Sequence, residues 1–278
     1  MFKIVKKRVL TPVTKLFEVE APLVARKAQP GQFVVVRVSE TGERIPLTVA
    51  ATDPKAGTVT IVVQEVGKTS SMLGRLEAGQ SILDFAGPLG KPAPLLDSGH
   101  VVVIGGGFGV APILPIARAL KERGVKVTGI VGARTKDLLI LLDELRESCT
   151  DVLTCTDDGS SGMKGLVTDV LKKELIDKGV HIDQVIAIGP MVMMRAVAET
   201  TRPFNLNTLV SLDPIMVDGT GMCGACRCTV EGRTRFACVD GPIFDAHKVD
   251  FDEAVRRGKM YLSEQKLAFD RYKAEVAQ

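Results

Sequence analysis

At 278 residues, with 45% hydrophobic and 25% charged side chains, the chain is built like a globular protein with room for two domains and a small appendage, not like a disordered tail. A formal charge of +3, without a basic stripe carrying interleaved aromatics, excludes nucleic-acid binding as its main business. Residues 1–8 are too charged for the apolar core of a signal peptide. The uncharged stretch 101–117 is broken by glycine and proline and is shorter than the roughly 20 residues of a membrane span, so a soluble, cytoplasmic protein is expected.

In chain order, residues 1–97 read as all-β. Short runs rich in Val, Ile, Phe and Thr at 16–20, 32–38, 58–64 and 81–85 are separated by Pro-Gly, Thr-Gly, Ala-Gly and Gly-Pro turns. That spacing predicts an antiparallel β-barrel, interrupted by one short helix at 70–76. A proline-bearing stretch, 92–99, is the expected linker to a second region, 98–211. There, apolar strands at 101–104, 126–131, 152–156 and 185–188 alternate with amphipathic helices at 110–123, 137–147, 166–178 and 191–201. Such alternation predicts a doubly wound parallel α/β sheet with its ligand at the C-terminal ends of the strands.

Within this region, the strand 101–104 runs into Gly105-Gly106-Gly107-Phe108-Gly109, and Val110-Ala111-Pro112 opens a helix. Glycines here let backbone pass close to a pyrophosphate, and the free N–H groups of the helix start can receive it. A tight strand-to-helix turn without a ligand would look the same, and the spacing is not the dinucleotide fingerprint. A second such turn, Gly189-Pro190-Met191, follows the last strand, and two turns on one sheet make a cleft with two walls. Asp157, in Asp157-Asp158-Gly159-Ser160 after a strand, is either a ribose contact or part of a solvated turn. His100, His181 and His247 are scattered and expected to be structural.

Residues 212–278 form the third region, which begins rich in glycine and cysteine and closes with a helical tail from 252. Cys149 and Cys155 stand alone, whereas Cys223, Cys226, Cys228 and Cys238 crowd together, which suggests a metal site rather than a disulfide framework. Plant-type [2Fe–2S] sites space their ligands C-x4-C-x2-C…C. Cys223 and Cys226 supply the x2 pair and Cys238 the distal ligand, and across the four residues that precede Cys223 stands Asp218 in place of a cysteine. Asp218, Cys223, Cys226 and Cys238 are therefore the expected ligands. Cys228 as fourth ligand, or a structural zinc held by all four thiolates, are the rivals.

One further motif lies in the barrel: Arg44-Ile45-Pro46-Leu47-Thr48 at a strand, followed by Val66-Gly67-Lys68-Thr69-Ser70 at a helix start. With the two glycine turns, these segments resemble the ferredoxin–NADP reductase superfamily. The resemblance implies FAD on the barrel, with Thr48 at the flavin N5 and Pro46 and Leu47 beside it. It places Arg44 near the diphosphate, with Gln64, Val66, Gly67, Thr69 and Ser70 along the cofactor. The nicotinamide nucleotide, NAD or NADP, falls to Gly105, Gly106, Gly107, Gly109, Val110, Pro112, Asp157, Gly189, Pro190 and Met191.

All three regions in this order are similar to the electron-transfer subunits of dihydroorotate dehydrogenase, and the segment from Cys238 to Phe244 resembles their Cys-x-Asp-Gly-Pro-x-Phe. Asp218 with three cysteines instead resembles the small subunits of electron-bifurcating NADH-dependent ferredoxin:NADP oxidoreductases. These resemblances imply an oxidoreductase subunit that exchanges hydride between NAD(P)H and FAD. Single electrons would then pass through a [2Fe–2S] cluster to a larger iron–sulfur flavoprotein partner in a heterodimer, and indirectly to ferredoxin. The alternatives are the same machinery serving dihydroorotate oxidation, or a zinc-stabilised nucleotide-binding regulator.

Overall fold

A computed structural model describes residues 1–276. The first region is a seven-stranded, wholly antiparallel sheet curled into a half-barrel, in the order β6-β1-β2-β5-β4-β3-β7. Its strands are β1 (Phe2–Thr11), β2 (Thr14–Glu20), β3 (Phe33–Arg37), β4 (Arg44–Asp53), β5 (Thr58–Gln64), β6 (Ser81–Ile82) and β7 (Asp84–Leu89), with short helix α1 (Pro22–Ala25) and helix α2 (Lys68–Arg75) between them. Inward residues of these strands, among them Phe17, Val34, Val36, Val49, Ile61 and Phe85, fill the interior under Leu73 of α2. Strand β1 is invisible to pattern-reading. Of its ten residues only Ile4 and Thr11 are buried, so its charged sequence carries almost no apolar alternation.

The second region is a mixed sheet of order β11-β10-β9-β8-β12-β13-β16. Its strands are β8 (His100–Gly106), β9 (Lys126–Ala133), β10 (Asp151–Thr156), β11 (Met163–Lys164), β12 (Gln184–Ile188), β13 (Thr208–Ser211) and, from the third region, β16 (Ile243–Asp245). All neighbours are parallel except β13 and β16. Both faces are covered. Val101, Val103 and Val127 point toward helices α3 (Val110–Glu122) and α4 (Leu142–Ser148). Val102, Ile104 and Ile130 point toward α5 (Val167–Val170), which continues as a π-turn stretch Leu171–Ile176, and toward α6 (Met191–Thr201). Burial on both faces is why these strands read as unbroken apolar runs.

The helix expected at 137–147 is shorter than that. Leu141 has a left-handed backbone (φ 54°), and α4 begins only after it. Histidine 100 is a strut at the sheet's other end, its ring bonded to the His181 carbonyl and the Thr128 hydroxyl, both at 2.8 Å.

The cysteine-rich segment contains the hairpin β14 (Arg227–Val230) and β15 (Arg233–Phe236) and the turn of helix α7 (Ala237–Asp240). Its apolar residues share the core of the α5–α6 face. The tail forms α8 (Phe251–Gly258) and α9 (Leu262–Val276). Rather than closing the cysteine-rich region, α9 lies along α2, with Arg75 over the ring of Tyr272 at 5.6 Å, and none of its residues is fully buried. Among the described residues no helix is long and apolar enough to cross a membrane.

Candidate functional site

Strands β8 and β12 lie side by side, so the two glycine turns leave the sheet together and start α3 and α6 at one place. The glycines are what let them meet. A Cβ on Gly109 would collide with the Ile188 carbonyl, and one on Gly189 would stand 3.2 Å from Gly106 Cα. Gly107 is different. Its φ is +54° and nothing lies within 4 Å of where its Cβ would stand, so it presents bare backbone to the space beyond. Two helix N-termini facing one space make it favourable for an anion.

That space is a cleft of about 850 Å³ between the half-barrel and the sheet, toward the upper end of the range usual for small-molecule sites, ~300–1,000 Å³. It brings together Pro46, Leu47, Thr48 and Gln64 from the barrel with Gly106, Gly107, Gly109, Pro112, Asp157, Gly189 and Pro190 from the sheet. Thr48 is half-buried on β4, opposite Phe33 of β3, which also lines the cleft. Asp158 is occupied locally, held below the usual carboxylate range by the Ser160 hydroxyl and N–H, whereas Asp157 lines the cleft.

Other expected residues stand apart from this lining. Gly105 and Val110 are fully buried behind the turn, where a Cβ on Gly105 would meet Ile113 at 2.9 Å. Met191 gives its place in the cleft to Met193. Arg44 is exposed. Ser70 is spent on its own helix, since its Oγ accepts from the N–H groups of Val66 and Gly67, both at 3.0 Å, and Thr69 donates to Glu43 at 2.5 Å. The N–H groups of Lys68, Thr69 and Ser70 still lead α2 ahead of its first helical acceptor, beside a Gly67 with open space around it. A diphosphate fits that end. Sequence reasoning missed Phe33, Arg134, Met193, Asp213, Met216 and Pro242 in the lining. Arg134 could have been found, because it lies just past the C-terminal end of β9, a strand legible in the sequence, whereas Asp213 follows β13, a strand of four residues that the sequence did not disclose.

The expected metal ligands lie in two pairs. Cys223 Sγ is 3.3 Å from Asp218 Oδ1, and Cys226 Sγ is 3.2 Å from Cys238 Sγ. Asp218 loses some hydration to burial, but bonds from Thr220 and Cys223 outweigh that and bring its carboxyl down to about 2, so it is ionised. Gly219 and Gly221 coil the loop that returns Cys223 to Asp218, Gly224 the step from Cys223 to Cys226, all with positive φ, and a Cβ on Gly221 would press on Val239 at 3.1 Å. A binuclear cluster takes two protein ligands on each iron, so one carboxylate–thiol pair and one thiol–thiol pair fit it.

Cys228 is turned away. It faces its hairpin neighbour, the Arg235 carbonyl, at 3.7 Å and sits in the apolar core, where burial pushes its thiol up to about 11. The four thiols do not converge on one point, because the strand carrying Cys228 cannot also wrap a tetrahedral ion with Cys223, which is exposed. Cys228→Ser is therefore expected to leave iron content and the EPR signal essentially unchanged while lowering stability by ~1 kcal/mol, the cost of a hydroxyl in an apolar setting. Metal analysis beside a thermal melt checks it; loss of iron would make Cys228 a ligand.

Fold and site together define an NAD-binding oxidoreductase of the ferredoxin-reductase type with an iron–sulfur segment appended. Residues 103–199 match an oxidoreductase NAD-binding domain, and residues 213–250 match the iron-sulfur cluster binding domain of dihydroorotate dehydrogenase B. The chain belongs to the family of dihydroorotate dehydrogenase B electron transfer subunits. It is 48% identical to the electron transfer subunit homolog of Thermotoga maritima, over 97% of this chain and 95% of that one. It is also similar to a chain of the NADH-dependent reduced ferredoxin-NADP oxidoreductase, solved in work on flavin-based electron bifurcation, with 46% identity, a TM-score of 0.92 and 98% of each chain covered. A ferredoxin NADP+ reductase of Neisseria gonorrhoeae, at 19% identity, shares the fold over 73% of this chain and 90% of its own, with a TM-score of 0.58.

Proposed function

We propose that this electron-transfer subunit takes hydride from a nicotinamide nucleotide onto FAD and delivers single electrons through a [2Fe–2S] cluster to a larger iron–sulfur flavoprotein subunit. We assign that traffic to flavin-based bifurcation among NADH, NADPH and ferredoxin. The observation that carries the reading is the single cleft reaching from Thr48 of the barrel to both glycine turns, with the Asp218–Cys223 and Cys226–Cys238 pairs held on the segment that follows Asp213 at its edge. Residues 1–97, 98–211 and 212–278 are the proposed flavin, nucleotide and cluster units.

FAD, when bound, supplies the conversion of hydride pairs into single electrons. The chain's own work is positional. The α3 and α6 N-termini hold the pyrophosphate, the α2 N-terminus holds the flavin's diphosphate, and the barrel wall excludes water around Thr48. Asp157 receives the adenosine ribose. Asp218, Cys223, Cys226 and Cys238 hold the irons, with Asp218 the hard donor that favours the ferric state.

Thr48→Val should slow flavin reduction by NADH by roughly 10-fold while FAD remains bound, since the lost hydroxyl serves orientation rather than affinity. Stopped-flow bleaching of the flavin band reads it, and an unchanged rate removes Thr48 from the chemistry. Dihydroorotate oxidation is the second reading, favoured by the match of residues 213–250. Purification from the native cell with its partner, followed by flavin, iron and sulfide analysis, tests both. A partner carrying [4Fe–4S] clusters supports bifurcation, a dihydroorotate-oxidising partner supports the second reading, and a colourless, zinc-loaded chain defeats both.

A further inference from the structure

Asp213 is the one acid of the cleft that neither the nucleotide nor the cluster assignment employs. It follows Ser211 and Leu212 at the C-terminal end of β13. The sheet order β10-β9-β8-β12-β13 separates it from Asp157 by four strand steps, roughly 19 Å at ~4.8 Å per step. A dinucleotide stretched across both glycine turns, with its adenosine at Asp157, therefore ends near Asp213. Thr48 stands at this same end. It pairs with Phe33, Phe33 packs where Gly90 meets Pro242, and the Pro242 carbonyl accepts from the N–H of Leu212.

Resting on the functional reading above, we propose that Asp213 is the proton-accepting group of the redox end, gaining a proton when the neighbouring flavin gains charge. The step balances. A hydride, two electrons and one proton, leaves the dihydronicotinamide; the nicotinamide ring becomes a cation and the flavin gains one negative charge. One solvent proton then adds to a carboxylate oxygen of Asp213, so the carboxylate's negative charge no longer stands beside that of the flavin.

The group is poised for this exchange. Asp213 is an exposed residue that lines the cleft, yet the protein crowded around its carboxyl displaces enough water to push it up to about 6, against a small opposing bond to its own backbone. The charged groups of the surrounding elements are engaged elsewhere. Arg37 of β3 pairs with Asp84 of β7 at 2.6 Å, Asp240 of α7 accepts from Phe236 N, Asp245 of β16 accepts from His247 N, and Asp218 serves its own loop. Arg44 of β4 is exposed, and Arg134 is across the cleft beside Asp157. With no fixed cation beside it, Asp213 answers to the charge that comes and goes next to it, and a new negative charge raises its proton affinity further.

The test is the midpoint potential of the flavin in the full, FAD-replete chain, followed by spectroelectrochemistry from pH 5 to 9 in the wild type and in Asp213→Asn. Below about pH 6 the wild-type carboxyl is already neutral, so the two curves should converge. Above it the ionised carboxylate opposes electron entry, so the wild-type potential should fall progressively below that of Asp213→Asn. Asp213→Glu should keep the wild-type shape. Should Asp213→Asn fail to retain FAD, Asp213→Ser is the neutral comparator. Coincident curves, or curves offset equally at every pH as a packing change would give, overturn the inference and leave the functional reading standing. A wild-type chain that binds no flavin overturns both.

Discussion

Gly109→Ala is expected to abolish nicotinamide binding and to destabilise the fold at once. The new methyl group would stand on the Ile188 carbonyl and 3.0 Å from Gly189 Cα, both of them backbone that cannot rotate away. Relief requires the β8–α3 and β12–α6 turns to move apart, and overpacking of this sort costs ~1–3 kcal/mol. The larger effect is functional. A displacement of ~1 Å between the two helix N-termini spoils both halves of the anion site, and such misplacements cost on the order of 100-fold in rate. Calorimetric titration with NADH and a thermal melt read the two consequences separately. Gly107→Ala is the contrast. It meets no atom within 4 Å, so it carries only the strain of φ +54° for a residue with a side chain, ~1–2 kcal/mol, and should fold. If Gly109→Ala binds NADH normally, the contact of the two turns is not what forms the site.

Cys238→Ala is expected to cost the chain its cluster. Cys238 is buried against Cys226, its thiol pushed up to about 12 by burial and by Cys226, a cost that binding to iron removes by holding the thiolate. Removing it leaves one iron with a single protein ligand in a pocket where water has no easy entry, and retained iron should fall by ~10-fold or more. Asp218→Ala should be milder, because its iron lies at the exposed end of the loop beside Cys223 and water can fill the vacancy. The result is a labile cluster with shifted spectra. Asp218→Cys should assemble a cluster of altered potential. Iron and sulfide content with EPR reads all three. A silent Asp218→Ala together with iron loss in Cys228→Ser would invert the ligand assignment.

Much of this was legible in the chain itself, for identifiable reasons. Strands 101–104 and 185–188 announced themselves because both faces of a parallel sheet are buried, so apolarity runs unbroken. The glycine turns announced themselves because close backbone approach leaves no room for any other residue. Strand β1 was illegible because a strand with only two buried residues has no pattern to read. The break at Leu141 rests on a left-handed residue that sequence does not advertise. In the site, motif residues such as Pro46, Thr48 and Gly107 line the cleft, whereas Ser70 turns inward to cap α2. A motif identifies the turn but not which of its atoms are already spoken for. Asp213 escaped notice because it belongs to no motif, and only the docking of the barrel on the sheet, through Phe33, Pro242 and Leu212, brings it to the Thr48 end of the cleft.

The antiparallel pairing of β16 with β13 has a dynamic consequence. Many redox proteins carry their metal centre on a tether that swings between donor and acceptor, so that turnover waits on diffusion of the arm. Here the strand after the last cysteine is stitched into the nucleotide sheet, and the cysteine hairpin shares that sheet's core. The loop that bears the cysteines is thus tied to the sheet that walls the cleft. Under the proposed function, electron passage between them would then cross a gap set by the fold, and turnover should be insensitive to the viscosity of the medium.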